Sequence, residues 1–210
     1  MKGEGRKSAR KPAGQRPVRI RVLAASTQLF RIHRAGLDPL WFGPGSGRAP
    51  QHRFDSPDGS YGVCYLAETW RGAFVETFLR DPRVDRTGAP PLISAEDLEA
   101  RVLSRIIVKE ELHVVSLRGP GLAAIGTTAA ISSSPLYDES RELSREIHSR
   151  KGKLSGIEYR SRHDDDEIAF ALFDRVRGKI EVSREPPIPA TLVAQRLRQG
   201  VYDFLIIRGP

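Results

Sequence analysis

The chain has 210 residues, 39% hydrophobic and 29% charged, the make-up of one soluble globular domain with enough chain for a substantial core. No apolar run approaches the roughly 18–20 residues of a spanning helix, and the basic N-terminus lacks the apolar stretch of a secretory signal, so no membrane or export segment is expected. The formal net charge is +8, but residues 1–21 hold eight Lys or Arg and one acid, which leaves 26 basic against 25 acidic residues in the remainder. Residues 1–21 are therefore expected to form a disordered basic arm, and residues 22–210 a nearly neutral folded domain. Such an arm touches phosphate non-specifically at low salt; by itself it gives no reason to expect specific nucleic-acid recognition. Cys64 is the lone cysteine, so no intrachain disulfide can form. A single thiol in a core-like strand fits a reducing cytoplasm.

Residues 27–33 (TQLFRIH) have strand content, and period-two alternation turns Arg31 to the face opposite Phe30 and Ile32. Residues 35–60 form a long irregular stretch with five Gly and four Pro. Loops of that length in compact domains are usually functional or disordered. Trp41 and Phe42 argue for order, so the loop is expected to line a site, with glycines letting backbone approach a ligand. Its GPGSGR segment lacks the Lys-Ser/Thr ending of a P-loop. Residues 56–59 (SPDG) mark a turn and residues 61–67 a buried strand. Thr69 is placed to cap a helix on which Ala73, Phe74, Thr77 and Phe78 share a face, with Glu76 beside it. Arg53, Tyr65 and Glu76 thus stand on a loop, a strand end and a helix joined by short connections. That spacing can fold a cation, an aromatic ring and a carboxylate into one cleft.

Ser94 is placed to cap a short helix with Asp97 three residues on. Two strands follow, LSRIIVKE and LHVVSL, joined tightly around residues 110–112. A short helical piece ends near Gly126. Residues 137–151 read as an amphipathic helix with Tyr137, Leu143 and Ile147 inward. Strands are expected at 156–161, 168–173, 179–183 and 202–207, with a helix opened by Pro189 and closed by Gly200. His163 and the three aspartates after it are consecutive, so their side chains diverge; they read as a solvated turn, and no metal site is expected.

The series RF at 53–54, YGVCYLAE at 61–68 and GAFVE at 72–76 resembles the RES domain, a family named for an arginine, a glutamate and a serine. Leu29-Phe30-Arg31-Ile32 resembles its opening strand, Trp41-Phe42-Gly43 its glycine-rich loop, and Gly156-Ile157-Glu158-Tyr159-Arg160-Ser161 its serine segment. The resemblance spans residues 28 to 175. It implies an α+β fold, an ADP-ribosyltransferase-like core of two antiparallel sheets with flanking helices. It also implies a bacterial toxin that consumes NAD+ and is neutralised by an Xre-type antitoxin, with homo- or hetero-oligomers in prospect. NAD+ would be substrate, and no separate cofactor is expected.

Carried over residue by residue, Arg53 matches the family arginine, in RF where many members have RW. Tyr65 matches the strand tyrosine, Glu76 the glutamate, Ser161 the serine (Ser132, Ser133 and Ser134 being the other candidates for it) and Arg31 the opening-strand arginine. The chemistry suits these types. Guanidinium forks onto pyrophosphate oxygens, and a tyrosine ring stacks on nicotinamide. Breaking the nicotinamide–ribose bond builds oxocarbenium character that a carboxylate stabilises. Arg31 and Arg53 are thus assigned to phosphates, Tyr65 to the nicotinamide or its ribose, and Glu76 to the reacting ribose. Ser161 is assigned to orienting Glu76 or the nicotinamide amide. Glu68, eight residues before Glu76, is a competing carboxylate; Glu76 is preferred because it follows GAFV. Cleavage by water or phosphate is the first reading. ADP-ribosyl transfer to a macromolecule and non-catalytic nucleic-acid binding are the alternatives. The absence of a Glu-x-Glu pair favours small-molecule NAD+ breakdown.

Overall fold

A computed structural model of the protein describes residues 17–45, 47–79, 90–150, 152–199 and 202–209. The expected disorder of the arm, up to residue 16, lies outside the described residues. In chain order the elements are β1 (Ile20–Leu23), β2 (Gln28–Arg34), β3 (Val63–Ala67), α1 (Trp70–Phe78), β4 (Leu92–Ser94), α2 (Ala95–Glu99), β5 (Arg101–Val108) and β6 (Leu112–Ser116). There follow α3 (Pro120–Ile125), α4 (Ala130–Ser133), α5 (Asp138–Ser149), β7 (Gly156–Arg160), β8 (Ile168–Phe173), a 3₁₀ turn (Asp174–Lys179), β9 (Ile180–Val182), β10 (Ile188–Pro189), α6 (Ala190–Arg198) and β11 (Leu205–Ile207).

Nine strands form one sheet in the order β1-β6-β7-β8-β3-β2-β5-β10, with β9 also paired to β5, and β11 pairs with β4 in a separate ribbon. Two antiparallel sheets were the expectation. The structure instead has one large sheet, mixed because β6 runs parallel to β7, and a small ribbon in which β11 runs parallel to β4. The connection from β6 to β7 carries three helices, and a crossover of that kind returns the chain in the same direction.

The sheet is curled, and chain length alone requires it. β5 and β6 are five strand spacings apart in the sheet order, roughly 24 Å if the sheet were flat. Yet the link from Val108 to Leu112 reaches at most about 15 Å. Leu23, Leu29, Cys64, Leu66, Ile106, Val114, Phe170 and Leu172 fill the concave side. The convex side of β3, β7 and β8 is covered by α3, α4 and α5 around Phe54, Tyr61, Ile147, Ile157 and Phe173. A third cluster packs α1, α2 and α6 on β2 and β5. The continuous apolar run of β8 follows from this layering: Phe170 and Leu172 face the concave core while Ala171 and Phe173 face the helices.

The local signals form as their chemistry requires. Thr69 Oγ1 accepts from Gly72 N at 2.8 Å, and Ser94 Oγ accepts from Asp97 N at 3.1 Å. Asp58 Oδ1 receives Ser60 N at 3.0 Å in the 56–59 turn, where Gly59 has φ 72°. Residues 163–166 form a turn in which Asp164 Oδ1 accepts from Asp166 N.

Three expectations are corrected. β1 starts at Ile20, inside the stretch assigned to the arm, because Ile20 and Arg21 pair with Val115 and Val114. Tyr137 is the half-buried residue preceding α5 rather than an inward helical one. The last strand begins at Leu205 rather than residue 202; buried Phe204 packs on Phe74 instead.

One junction in the sheet shapes the cleft. β2 pairs with β5 over seven residues and β3 with β8 over five, but β2 and β3 share the single pair Phe30–Ala67. The two halves of the sheet diverge from that point.

Candidate functional site

A cleft of about 360 Å³ lies where β2 and β3 diverge, lined by Phe30, Arg31 and Ile32 from one strand and Tyr65, Leu66 and Ala67 from the other. Ala73, Glu76 and Thr77 line it from α1, at the helical spacing that puts three residues on one face. The loop before β3 contributes Trp41, His52 and Arg53. Four of the five residues singled out from the sequence, Arg31, Arg53, Tyr65 and Glu76, therefore meet in one cleft.

Arg31 Nη1 donates to the carbonyls of Pro39 at 2.9 Å and Trp41 at 3.1 Å and to Cys64 Sγ at 3.1 Å. All three acceptors are uncharged, so the strand arginine ties down the loop without being neutralised. Cys64 is fully buried, and burial pushes its thiol pKa up, as suits a packing residue. Arg53 is only 9% exposed. Its Nη1 donates to the carbonyls of Ser134 at 2.8 Å and Ile131 at 3.3 Å, and its guanidinium lies 4.7 Å from the Tyr137 ring centroid. Burial lowers its pKa. Neither arginine pairs with a carboxylate among the described residues. A buried cation held by neutral acceptors favours an incoming anion.

The segment bearing Arg53 is fastened from several directions. Tyr65 Oη donates to Asp55 Oδ1 and accepts from Phe54 N, both at 2.9 Å. Asp55 Oδ2 accepts from Gln51 N and His52 N. From α5, Ser140 Oγ donates to Arg53 O and Ser144 Oγ to Phe54 O, while Arg141 Nε reaches His52 O at 3.1 Å. The Tyr65 hydroxyl is thus occupied in holding the loop. Burial first, then the Asp55 charge, drives its pKa well above the ordinary tyrosine value. What Tyr65 offers the cleft is its ring, which His52 meets edge-on at 5.3 Å.

Helix α1 is fixed at its start. Thr69 Oγ1 and Arg71 Nε both donate to Glu167, a carboxylate only 1% exposed. Gly72 leaves room there for the Glu167 carboxylate, since a Cβ would sit 2.7 Å from Glu167 Oε2. One turn on, Glu76 Oε2 accepts from Tyr159 Oη at 3.4 Å. The competing carboxylate, Glu68, is bound instead to Arg21.

Ser161 is buried just behind the cleft. Its Oγ accepts from His163 N at 3.3 Å and its own N–H donates to Glu167 O, while the next two residues, Arg162 and His163, line the cleft. The contact with Glu76 comes from Tyr159, two residues upstream on β7, which ends at Arg160 just before Ser161. Sequence reading missed Tyr159, although period-two alternation puts it on the same face of the strand as position 161. It also missed Tyr137 and His52, whose places depend on α5 docking against the loop.

The chain belongs to the RES domain family, whose model matches residues 28–192. The fold is similar to that of a chain in the crystal structure of the M. tuberculosis MbcT–MbcA toxin–antitoxin complex. The TM-score is 0.61 and the identity 18%, over 85% of this chain and 92% of that one. No curated protein matches the chain. Among the described residues no group of three or more His, Cys, Asp or Glu could hold a metal ion. No helix among them is long and apolar enough to cross a membrane.

Proposed function

We propose that the protein breaks the nicotinamide–ribose bond of NAD+, with water or phosphate as acceptor. In this reading it serves as the toxin of a toxin–antitoxin pair, restrained by an Xre-type antitoxin that covers the cleft. The observation that carries the reading is the charge arrangement: two guanidiniums, Arg31 and Arg53, with no carboxylate partner among the described residues, share one cleft with the carboxylate of Glu76. A dinucleotide has the complementary pattern, an anionic pyrophosphate joined to a ribose that turns cationic as the glycosidic bond breaks. Family membership and the likeness to a chain of a toxin–antitoxin complex support the biological role.

In this reading the two arginines hold the pyrophosphate and the Tyr65 ring packs on the nicotinamide or its ribose. Glu76 bonds the ribose hydroxyls and stabilises positive charge at C1′. As the C1′–N bond breaks, its electron pair leaves with nicotinamide, which departs neutral. The acceptor oxygen then bonds to C1′; water gives up a proton to solvent, whereas phosphate attacks through an oxygen already deprotonated. Tyr159 orients Glu76. Ser161 sets the turn that presents Arg162 and His163.

The test is NAD+ loss catalysed by the purified full chain, freed of any bound antitoxin, with and without phosphate, beside Glu76→Gln. Removing a group matched to transition-state charge is expected to lower kcat by about 10²–10³-fold. Phosphate dependence names the acceptor, and label retained on protein would point to ADP-ribosyl transfer. A folded wild-type protein that leaves NAD+ intact would refute cleavage and return attention to the basic arm. Truncation for that comparison is best made before residue 17, because Arg21 belongs to β1.

A further inference from the structure

Trp41 is an apolar ring left in solvent at a cleft whose other walls are well packed. It is 42% exposed and lines the cleft, and no ring or cation among the described residues packs on it. Its neighbours are buried or held. Phe42 is buried, with the Arg177 guanidinium 4.8 Å from its ring centroid. The Trp41 carbonyl is bound by Arg31.

The indole is also seated. A Cβ at Gly43 would lie 1.9 Å from Trp41 Cη2 and 2.1 Å from Cζ2, so the ring occupies the space that a side chain at Gly43 would need. Gly43 is itself pinned to the start of β3 by two backbone bonds with Val63, at 3.2 and 3.0 Å. The glycine therefore admits the protein's own indole close to its backbone. The result is an aromatic ring seated against a glycine and still 42% exposed, on the residue whose carbonyl touches the Arg31 guanidinium.

We infer that Trp41 is the stacking platform for the purine base of a nucleotide whose phosphates lie on Arg31. A base joined to an anion is the ligand chemistry that an exposed ring beside an uncompensated guanidinium recognises. The inference rests on the proposed NAD+ reading in one respect: it assigns the adenylate half to Trp41, leaving the nicotinamide half to Tyr65 and Glu76. Arg31 binds the carbonyl of Trp41 and not its ring, so truncating the indole leaves the arginine's anchors intact.

The experiment compares NAD+ with nicotinamide mononucleotide, which has the same scissile bond and no adenylate. Base–aromatic stacking predicts that Trp41→Ala lowers the NAD+/mononucleotide ratio of kcat/KM by about tenfold. Trp41→Phe should recover most of it, and Gly43→Ala, which displaces the indole without removing it, should reproduce the loss. A readout independent of turnover is quenching of tryptophan fluorescence by AMP. Quenching should saturate in wild type and vanish in Trp41→Phe, where Trp70 remains. A ratio unchanged in Trp41→Ala while wild type cleaves NAD+, or AMP quenching that persists in Trp41→Phe, overturns the inference and leaves the cleavage reading standing. AMP quenching that requires Trp41, in a protein that leaves NAD+ intact, sinks the cleavage reading and supports the nucleotide platform.

Discussion

The Tyr159 hydroxyl donates to Glu76 Oε2 across 3.4 Å, from a ring that is 5% exposed and packs 4.9 Å from the Phe54 ring. The bond is long for an O–H donor, so its part is to bias the carboxylate's position. Tyr159→Phe keeps the ring and removes only the donor. Loss of one hydrogen bond to a charged group is expected to lower kcat for NAD+ cleavage by about tenfold with KM and melting temperature nearly unchanged. A matched fall in melting temperature would reassign Tyr159 to the core alone.

Tyr65→Phe separates two roles for that residue. A ring that only stacks on a ligand loses little with the hydroxyl. In this structure the hydroxyl serves Phe54 N and Asp55 Oδ1, both on fully buried residues, and stranding them costs about 1–3 kcal/mol. The variant should show that loss in urea midpoint and faster amide exchange at Phe54, with weaker NAD+ binding because Arg53 is the adjacent residue. Unchanged stability would refute the anchoring role.

Gly72→Ala pits helix propensity against packing. Alanine in a helix interior is favoured over glycine by about 1 kcal/mol. Its methyl group would meet Glu167 Oε2 at 2.7 Å, and that carboxylate is held by Thr69 and Arg71. Disturbing charge-assisted bonds to a buried group costs about 1.5–3 kcal/mol, so packing outweighs propensity. A melting temperature lower by a few degrees is expected, and a higher one would show that Glu167 gives way freely.

Glu158 gives stability a pH dependence. Its burial alone would raise the carboxyl pKa. Hydrogen bonds from Ser116 and Arg21, with the charges of Arg21 and Arg118, outweigh burial and hold it below the ordinary value. A carboxyl with a depressed pKa stabilises the fold above its unfolded pKa and loses that contribution as pH falls through the folded value. Wild type should therefore exceed Glu158→Gln by about 1.5–3 kcal/mol at neutral pH, with the gap closing below about pH 4. Urea titrations at pH 7 and pH 3 measure it; a gap independent of pH would contradict the assignment.

The parts legible in the sequence are those whose physics is local. Thr69, Ser94 and the 56–59 turn are satisfied by atoms two or three residues away, and the apolar run of β8 announces burial on both faces. Arg31, Arg53, Tyr65 and Glu76 could be brought together because short connections join their elements and a family pattern orders them. Tyr159 meets Glu76 across 83 positions and Arg21 meets Glu158 across 137. No periodicity encodes such distances, and the same holds for the parallel pairing of β6 with β7. The curl is hidden too, although the three residues between β5 and β6 demand it once the strand order is known.

The single pair joining β2 to β3 gives the protein one compliant direction. Bending either half of the sheet along its strands strains a ladder of five or seven pairs, whereas changing the gap between the halves works against the Phe30–Ala67 pair and the Arg31–Cys64 bond. Arg31 stands on one bank and Tyr65, Asp55 and Arg53 on the other, while the Trp41 loop is fastened to both, to Arg31 through the Trp41 carbonyl and to Val63 through Gly43. A molecule that grips both banks acts as a strut, stiffening the whole sheet through a contact no wider than itself.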